Sequence, residues 1–347
     1  MNIAIIVPRI AQVGPVKLMQ TLVNSLTVIS EIKITVFYID RNADALVKFN
    51  APVSRLKVWR FPFSDFDIVH TNGIRPDLFA FLYRKRIKYH ISTIHNFVFV
   101  DLLFTYNRAI SLIFGNIWLT LWRRADRLVC VSKSMKNYYL NWLPLSKLEV
   151  IYNGVAEAES ISMDSFIVNA IDSFKQKGLT VIGSSGILNK RKGFDQILLL
   201  LDTREKLAFI LFGEGRELRN LQNLAAKLNI SDRIKFCGLK DNPTNYYKYL
   251  DFFVMPSRSE GFGLALVEAV IQKVPVICSD LEVFRELFNN EEVTFFKLEN
   301  LNSLINATRE TKENGIKKSD LAFSRYLRSY TDKLMARQYI ELYQYAS

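Results

Sequence analysis

Residues 251–280, DFFVMPSRSEGFGLALVEAVIQKVPVICSD, restrict what this chain can fold into more than any other stretch. Phe252, Phe253, Val254 and Met255 form an apolar run closed by Pro256 and Ser257, which reads as a short parallel strand buried on both faces. A polar turn follows. Residues 261–271 are apolar on nearly every side, so a helix there has no wet face and is expected to be buried. Pro275, Val276, Ile277 and Cys278 then give a second buried strand, and a strand, helix and strand of this kind belong to an α/β fold.

Two carboxylates interrupt the apolar unit: Glu260 in the turn and Glu268 two turns inside the helix. An unpaired carboxylate in a buried helix is costly, so Glu268 either has a partner or lines a cleft filled by a polar ligand. Eight residues separate the two by ~12 Å along a helix axis, the scale of a nucleotide-sugar folded over its diphosphate. Exposed N–H groups of Gly261, Phe262 and Gly263 at the helix start suit phosphate oxygens. The alternative is structural, with Glu260 favouring the helix dipole and Glu268 paired with a buried Arg.

This stretch resembles the signature of the family 4 retaining glycosyltransferases, a Glu, seven residues and a second Glu in the form PSxxEGFGLxxxEA. The resemblance implies that Glu260 holds the donor sugar's hydroxyls and Glu268 the ribose hydroxyls, with Gly261, Phe262, Gly263 and Leu264 beside the donor. Lys273 departs from the pattern, standing where the family has Gly before the Pro of PVI, so the turn into the next strand is left open.

Composition bounds the rest. The 347 residues, 49 % hydrophobic and 23 % charged, suit a globular protein of two domains. Cys130, Cys237 and Cys278 are far apart in apolar runs, with no metal or disulfide spacing, and read as core thiols in a reducing compartment. The start, MNIAIIVPRI, reads as a first strand and not a signal peptide. Residues 1–155 carry 20 Lys plus Arg against 9 Asp plus Glu, whereas the remainder carry 26 against 25. The +11 on the first half implies an acidic partner such as an anionic membrane surface, a lipid diphosphate or nucleic acid. No nucleic-acid motif accompanies that charge, so nucleic acid is not expected.

Along the chain, residues 2–7 predict a strand, and the turn around Gly14 leads into a helix over 16–29, a nucleotide-fold opening. Strands are expected over 32–39, 67–70 and 89–94. Arg84, Lys85, Arg86 and Lys88 form either a solvated helix end or a surface for acidic headgroups. His95 follows a strand's C-terminal edge, where open α/β sheets place ligand groups. The family resemblance implies that it contacts the transferred sugar, and that Gly14 stands in the loop that approaches the acceptor.

Residues 97–122 are rich in large apolar side chains and end in Arg123 and Arg124, but Asp101, Asn107 and Arg108 interrupt them, so a spanning helix is not expected. An amphipathic segment lying in the membrane interface, with Trp and Arg at its boundary, and a core-packing helix both fit. Strands are expected over 127–131 and 148–152. Asn153, Gly154 and Val155 resemble the family's NGV at the end of the first domain, and Glu157, Glu159, Ser160, Ser162, Asp164 and Ser165 read as a linker.

The second domain restarts with a strand over 179–182 and Gly183 to Gly186, then Lys190, Arg191, Lys192 and Gly193 before a helix over 194–201. Three cations beside a Gly-rich turn form a diphosphate seat or a solvated basic loop. The family has an Arg and a Lys there. Lys192 matches the Lys, but Ile187 occupies the Arg position, so Lys190 or Arg191 substitutes or the phosphate is less fully neutralised. Gly213, Glu214 and Gly215 resemble the turn after the next strand, and Leu239 falls where members contact the base.

The resemblance implies a GT-B architecture: two Rossmann-like domains facing across a cleft, residues 1–158 for the acceptor and 175–329 for the donor, with a final helix over 330–347 crossing back to the first. It further implies metal-independent transfer with retention, from a UDP- or GDP-sugar to a saccharide on a polyprenyl diphosphate at the cytoplasmic face of the membrane, as in O-antigen or capsule assembly. A lipopolysaccharide core or a soluble acceptor is the alternative. A nucleotide-sugar sensor without catalysis is a further class, suggested by the missing Arg.

Overall fold

The computed structural model describes residues 1–11, 13–29, 31–41, 47–157 and 163–346. They form two compact units, Met1–Ala156 with Ser329–Ser347, and Glu157–Arg328. Of the expected linker, Glu159, Ser160 and Ser162 lie outside the described residues, while Asp164 caps the helix Ser165–Gln176 by accepting from Phe166 N.

In the first unit the strands are β1 (Asn2–Val7), β2 (Lys33–Tyr38), β3 (Val53–Arg55), β4 (Ile68–Asn72), β5 (Tyr89–Ile94), β6 (Arg127–Cys130) and β7 (Leu148–Val150). All pair in parallel, in the order β3-β2-β1-β4-β5-β6-β7. Unbroken apolar runs such as Ile3 to Val7 are buried on both faces because helices cover both sides of a parallel sheet. β3 was not expected: its three residues are all exposed at the sheet edge, so no hydrophobic pattern marks it.

The final helix, Asp332–Tyr345, is capped by Thr331 Oγ1, which accepts from Leu334 N, and packs on the helix Gly14–Ile29. It sends two tyrosines into the sheet. Tyr343 OH lies 2.7 Å from His70 Nδ1, Tyr339 OH lies 2.9 Å from Thr93 Oγ1, and His70 Nε2 bonds Thr93 Oγ1 at 2.8 Å. The Gly of the NGV tripeptide is explained here, since a side chain on Gly154 would collide with the backbone of Thr331 and Asp332.

A second buried network fixes the helical hairpin Val98–Thr105 and Arg108–Arg123. Asp77 is 1 % exposed and accepts from Thr71 Oγ1 (2.5 Å), Ser92 Oγ (2.8 Å), Trp118 Nε1 (2.9 Å) and Trp122 Nε1 (3.0 Å). Burial raises its pKa, and the four donors pull it down again only in part. Trp118 and Trp122 therefore face inward and are not boundary anchors of an interfacial segment. Arg84 is likewise committed inside the unit, as a fork on Asp126 (2.5 and 2.6 Å) and a donor to the carbonyls of Ile87 and Arg124, and Lys88 pairs with Asp67.

The second unit holds β8 (Thr180–Ser185), β9 (Leu207–Phe212), β10 (Ile234–Phe236), β11 (Phe252–Met255), β12 (Val276–Ser279) and β13 (Thr294–Phe296), again all parallel, in the order β10-β9-β8-β11-β12-β13. Its core is a cluster including Ile182, Ile197, Leu201, Phe209, Leu211 and Val254. Among the described residues no helix is long and apolar enough to cross a membrane.

Candidate functional site

Because the second sheet is parallel, the C-terminal ends of its strands share one edge. From β8 the chain runs outward through β9 and β10, then returns to β11 on the other side of β8 and runs outward the opposite way. Strand order reverses between β8 and β11, the switch point at whose carboxyl edge open α/β sheets place their ligands. The loops here are 186–193 and 256–263, which carry most of the residues singled out in the sequence.

Arg258 stitches the two loops together. Its N–H donates to Arg191 O (2.7 Å), its guanidinium to Lys190 O (2.5 Å), and a fork reaches Asp195 Oδ1 and Oδ2 (3.0 and 2.7 Å), with Glu299 on the remaining side (2.5 Å). Arg191 Nη1 returns a bond to Ser259 O (2.7 Å), and Gln196 Nε2 donates to Pro256 O (2.9 Å). Gly193 must be glycine: it has φ +67°, and a side chain would strike Pro256 O.

Glu260 stands at the centre, 7 % exposed. Lys192 Nζ donates to Oε1 at 2.5 Å, Ser257 Oγ to the same oxygen at 2.8 Å, and Arg191 Nη1 lies 3.4 Å from Oε2. Ser257 is held in turn, its carbonyl accepting from Ser279 Oγ (2.6 Å). Burial pushes the carboxyl's pKa up, but the charges of Lys192 and Arg191 and the donated hydrogen bonds outweigh it, so the pKa lies below the usual carboxylate range. Two cations around one carboxylate leave the trio with a surplus positive charge, and Lys192 lies along Gly186, where a Cβ would meet its Cε at 3.1 Å. Lys190 is exposed and Ile187 is 55 % exposed. Of the two cations offered as a substitute for the missing Arg, Arg191 is the one turned to Glu260.

The helix after this loop is shorter than expected, Leu264–Ile271, and Glu260 lies outside it, so a separation reckoned along one axis does not apply. Gly261, Phe262 and Gly263 are buried, contrary to the expectation of exposed amides, with Gly263 taking φ +97° just before the helix. Nor is the helix closed on all sides. Leu264, Ala265, Glu268 and Ile271 form a half-buried stripe at i, i+1, i+4 and i+7, which is how a carboxylate is accommodated among Leu266, Val267, Ala269 and Val270. Glu268 is close enough to the buried Tyr247 to help burial raise that phenol's pKa, and Tyr247 OH donates to Ser185 Oγ (2.5 Å), the last residue of β8. Both carboxylates thus converge on the end of β8.

Gly213 N donates to Gly238 O (2.8 Å), and the exposed Glu214 reaches Leu239 N through Oε1 (3.5 Å), with Leu239 58 % exposed. These residues frame the β9 and β10 side of the same edge. Lys273 adopts φ +52°, so a lysine occupies a left-handed position where the motif has Gly, with its N–H on Val270 O (2.9 Å).

His95 and Gly14 belong to the first unit. Gly14 opens its helix and is partly buried. His95 follows β5, with Nε2 shut off from solvent and lacking a hydrogen-bond partner. Burial lowers its pKa to about 4, so the ring is neutral at pH 7. Sequence reasoning missed Arg258, Asp195, Ser257 and Tyr247. Arg258 was visible inside the motif itself, but its partner Asp195 lies 63 residues away with nothing to mark it.

The family profile described as Glycosyl transferases group 1 matches residues 169–329, and Glycosyltransferase Family 4 matches residues 31–159. The chain is similar to an O-antigen biosynthesis glycosyltransferase, WclY, of Escherichia coli, at 33 % identity over 99 % of this chain and 98 % of that one. It is similar over 30 % of its length to the lipopolysaccharide core biosynthesis mannosyltransferase LpsB of Rhizobium meliloti, at 36 % identity over 33 % of that protein. Among solved structures, HepE of Anabaena in complex with UDP and glucose superposes with a TM-score of 0.84 at 16 % identity, covering 99 % of both chains. Sucrose-phosphate synthase of Thermosynechococcus elongatus does so at 0.84 and 18 % identity, covering 99 % of this chain and 98 % of that one.

Proposed function

This chain belongs to glycosyltransferase family 4 and has the GT-B fold, and we propose that it moves a hexose or N-acetylhexosamine from a UDP- or GDP-sugar to a lipid-linked saccharide at the cytoplasmic membrane face, with retention, in O-antigen assembly. The observation that carries the proposal is the cluster of Lys192, Arg191 and Glu260 at the β8–β11 reversal. In it the carboxylate occupies the cations where a diphosphate would. A bound donor exchanges one anion for the other: its diphosphate takes Lys192 and Arg191, and Glu260 turns its oxygens to the sugar's hydroxyls. The same cations then stabilise the nucleoside diphosphate as it departs with the bonding pair, in a site already shaped for that charge. No metal is required in this scheme.

Glu268, on the open stripe beside Tyr247 and Ser185, takes the ribose hydroxyls, and Leu239 and Glu214 lie on the base side. His95 and Gly14 serve the acceptor half in the first unit, His95 as a neutral hydrogen-bonding group. The similarity to a named O-antigen enzyme over nearly the whole chain supports the surface-polysaccharide assignment, and the +11 charge of residues 1–155 supports an acceptor at an anionic membrane.

The test is transfer from a panel of nucleotide-sugars to polyprenyl-diphosphate saccharides, followed by mass. Product with one added sugar supports the proposal, and no product with any donor and acceptor overturns it. Two variants locate the parts. Glu268→Ala is expected to weaken UDP binding by about ten- to a hundredfold in calorimetry, the loss of a charged hydrogen-bonding pair. Arg258→Gln, which touches no substrate, is expected to lower turnover by about ten- to a hundredfold through misplacement of Lys192 and Arg191, with a smaller change in UDP affinity. Equal losses of both for Arg258→Gln would show that the loop had merely come apart.

A further inference from the structure

The outer side of the helical hairpin Val98–Thr105 and Arg108–Arg123 is an apolar surface that neither the sheet nor the neighbouring helix covers. Leu103, Tyr106, Leu112, Ile113, Phe114 and Ile117 are each between 44 and 59 % exposed. The inner side is fully used, with Ser111 Oγ donating to Phe99 O (2.6 Å), Gly115 packed against the Phe99 ring, and both indoles on Asp77. The hairpin therefore cannot roll over to hide these six side chains without stripping a buried carboxylate of two donors.

We infer that this surface lies in the interfacial layer of an anionic bilayer and holds the first unit against the membrane. Charge complementarity selects lipid as the occupant. Exposed Arg108 stands at one end of the second helix and exposed Arg123 at the other, bracketing the apolar side chains as headgroup-level cations do, while Arg124 beside it stacks on the Phe81 ring. Residues 97–124 contain one acid, Asp101, within a half of the chain that carries +11. At 16 residues, the second helix is too short to span and long enough to lie flat. The inward Trp118 and Trp122 correct the boundary anchors expected from sequence, and the anchors are the aliphatic side chains and Phe114 instead.

The inference rests on the membrane part of the proposed function, but its test uses neither sugar nor acceptor. Co-sedimentation is measured with phosphatidylethanolamine–phosphatidylglycerol vesicles and with phosphatidylcholine vesicles. The parent chain is expected to bind the anionic vesicles, and Leu112→Ser/Ile113→Ser/Phe114→Ser to bind them at least about tenfold more weakly, with transfer to a short-chain water-soluble acceptor retained. Ile113→Trp, which keeps the surface apolar, is expected to show added fluorescence that lipids brominated on their acyl chains quench. Binding unchanged in the triple variant, or no quenching in Ile113→Trp, overturns the inference. So does a parent dimer in light scattering that the triple variant dissociates while vesicle binding persists, since the surface would then belong to a second copy. Failure of transfer to the soluble acceptor by the parent bears on the transferase reading alone.

Discussion

Glu260→Ala is expected to cripple transfer while tightening the grip on UDP. The carboxylate now neutralises Lys192 and Arg191, whose side chains are 12 and 19 % exposed, and its removal leaves two largely buried cations facing each other. Breaking a buried pair of this kind costs about 3 kcal/mol, which for a unit of this size lowers Tm by about 10 °C. UDP supplies the missing anion, so the variant should regain more Tm from saturating UDP than the parent does. Turnover should fall by about a hundred- to a thousandfold, the usual effect of deleting a group aimed at the reacting sugar. Calorimetry, thermal unfolding with and without UDP, and initial rates measure the three arms. UDP affinity that falls together with turnover would remove Glu260 from its place as the diphosphate's competitor. The pH dependence has a fixed sign. Because the folded-state pKa is depressed, the stabilisation is present at neutral pH and is lost as acid titrates the carboxylate below its usual range.

Asp77→Ala should produce the largest loss of stability in the first unit. It leaves the hydroxyl of Ser92 and both indole N–H groups without this acceptor, at about 1–3 kcal/mol for each unsatisfied group before water or repacking recovers part, while Thr71 Oγ1 keeps His90 Nε2 and Ile91 O within reach. A net loss of about 4 kcal/mol is expected, along with a red shift of tryptophan emission as Trp118 and Trp122 come free and faster amide exchange in the hairpin. Asp77→Asn keeps one acceptor oxygen and should lose roughly half as much. Emission unchanged in Asp77→Ala would mean that packing alone holds the hairpin. Here the acid response is opposite to that of Glu260: burial raises the folded pKa, so the group's contribution is fullest at low pH and declines as pH rises through that pKa.

The parallel sheets were legible because strands buried on both faces must be unbroken apolar runs, as Leu207 to Phe212 are throughout. The candidate loop drew attention in the sequence because Glu260 and Glu268 are carboxylates where hydrophobic burial forbids idle ones. What could not be read were pairings across long separations. Arg258 and Asp195, or Asp77 with its two tryptophans, are ordinary charged and aromatic residues until the fold joins them. Trp118 and Trp122 show the cost of local reasoning, since a tryptophan next to arginine at the end of an apolar stretch looks the same whether it meets lipid or a buried acceptor. The start of the helix at Leu264 was misplaced for a different reason, because Gly263 at φ +97° breaks a run that composition alone would continue.

The two tyrosines of the last helix have a consequence for biosynthesis. The second unit is one continuous segment, ready to fold as it leaves the ribosome, whereas the first waits for Tyr339 and Tyr343 to reach His70 and Thr93. Until residues 332–345 are translated, the amino-terminal half is an unfinished sheet with polar groups awaiting their partners. Its maturation therefore waits on translation of residues 332–345, and a nascent chain stalled before residue 332 should remain a substrate for chaperones even after the second unit has become native.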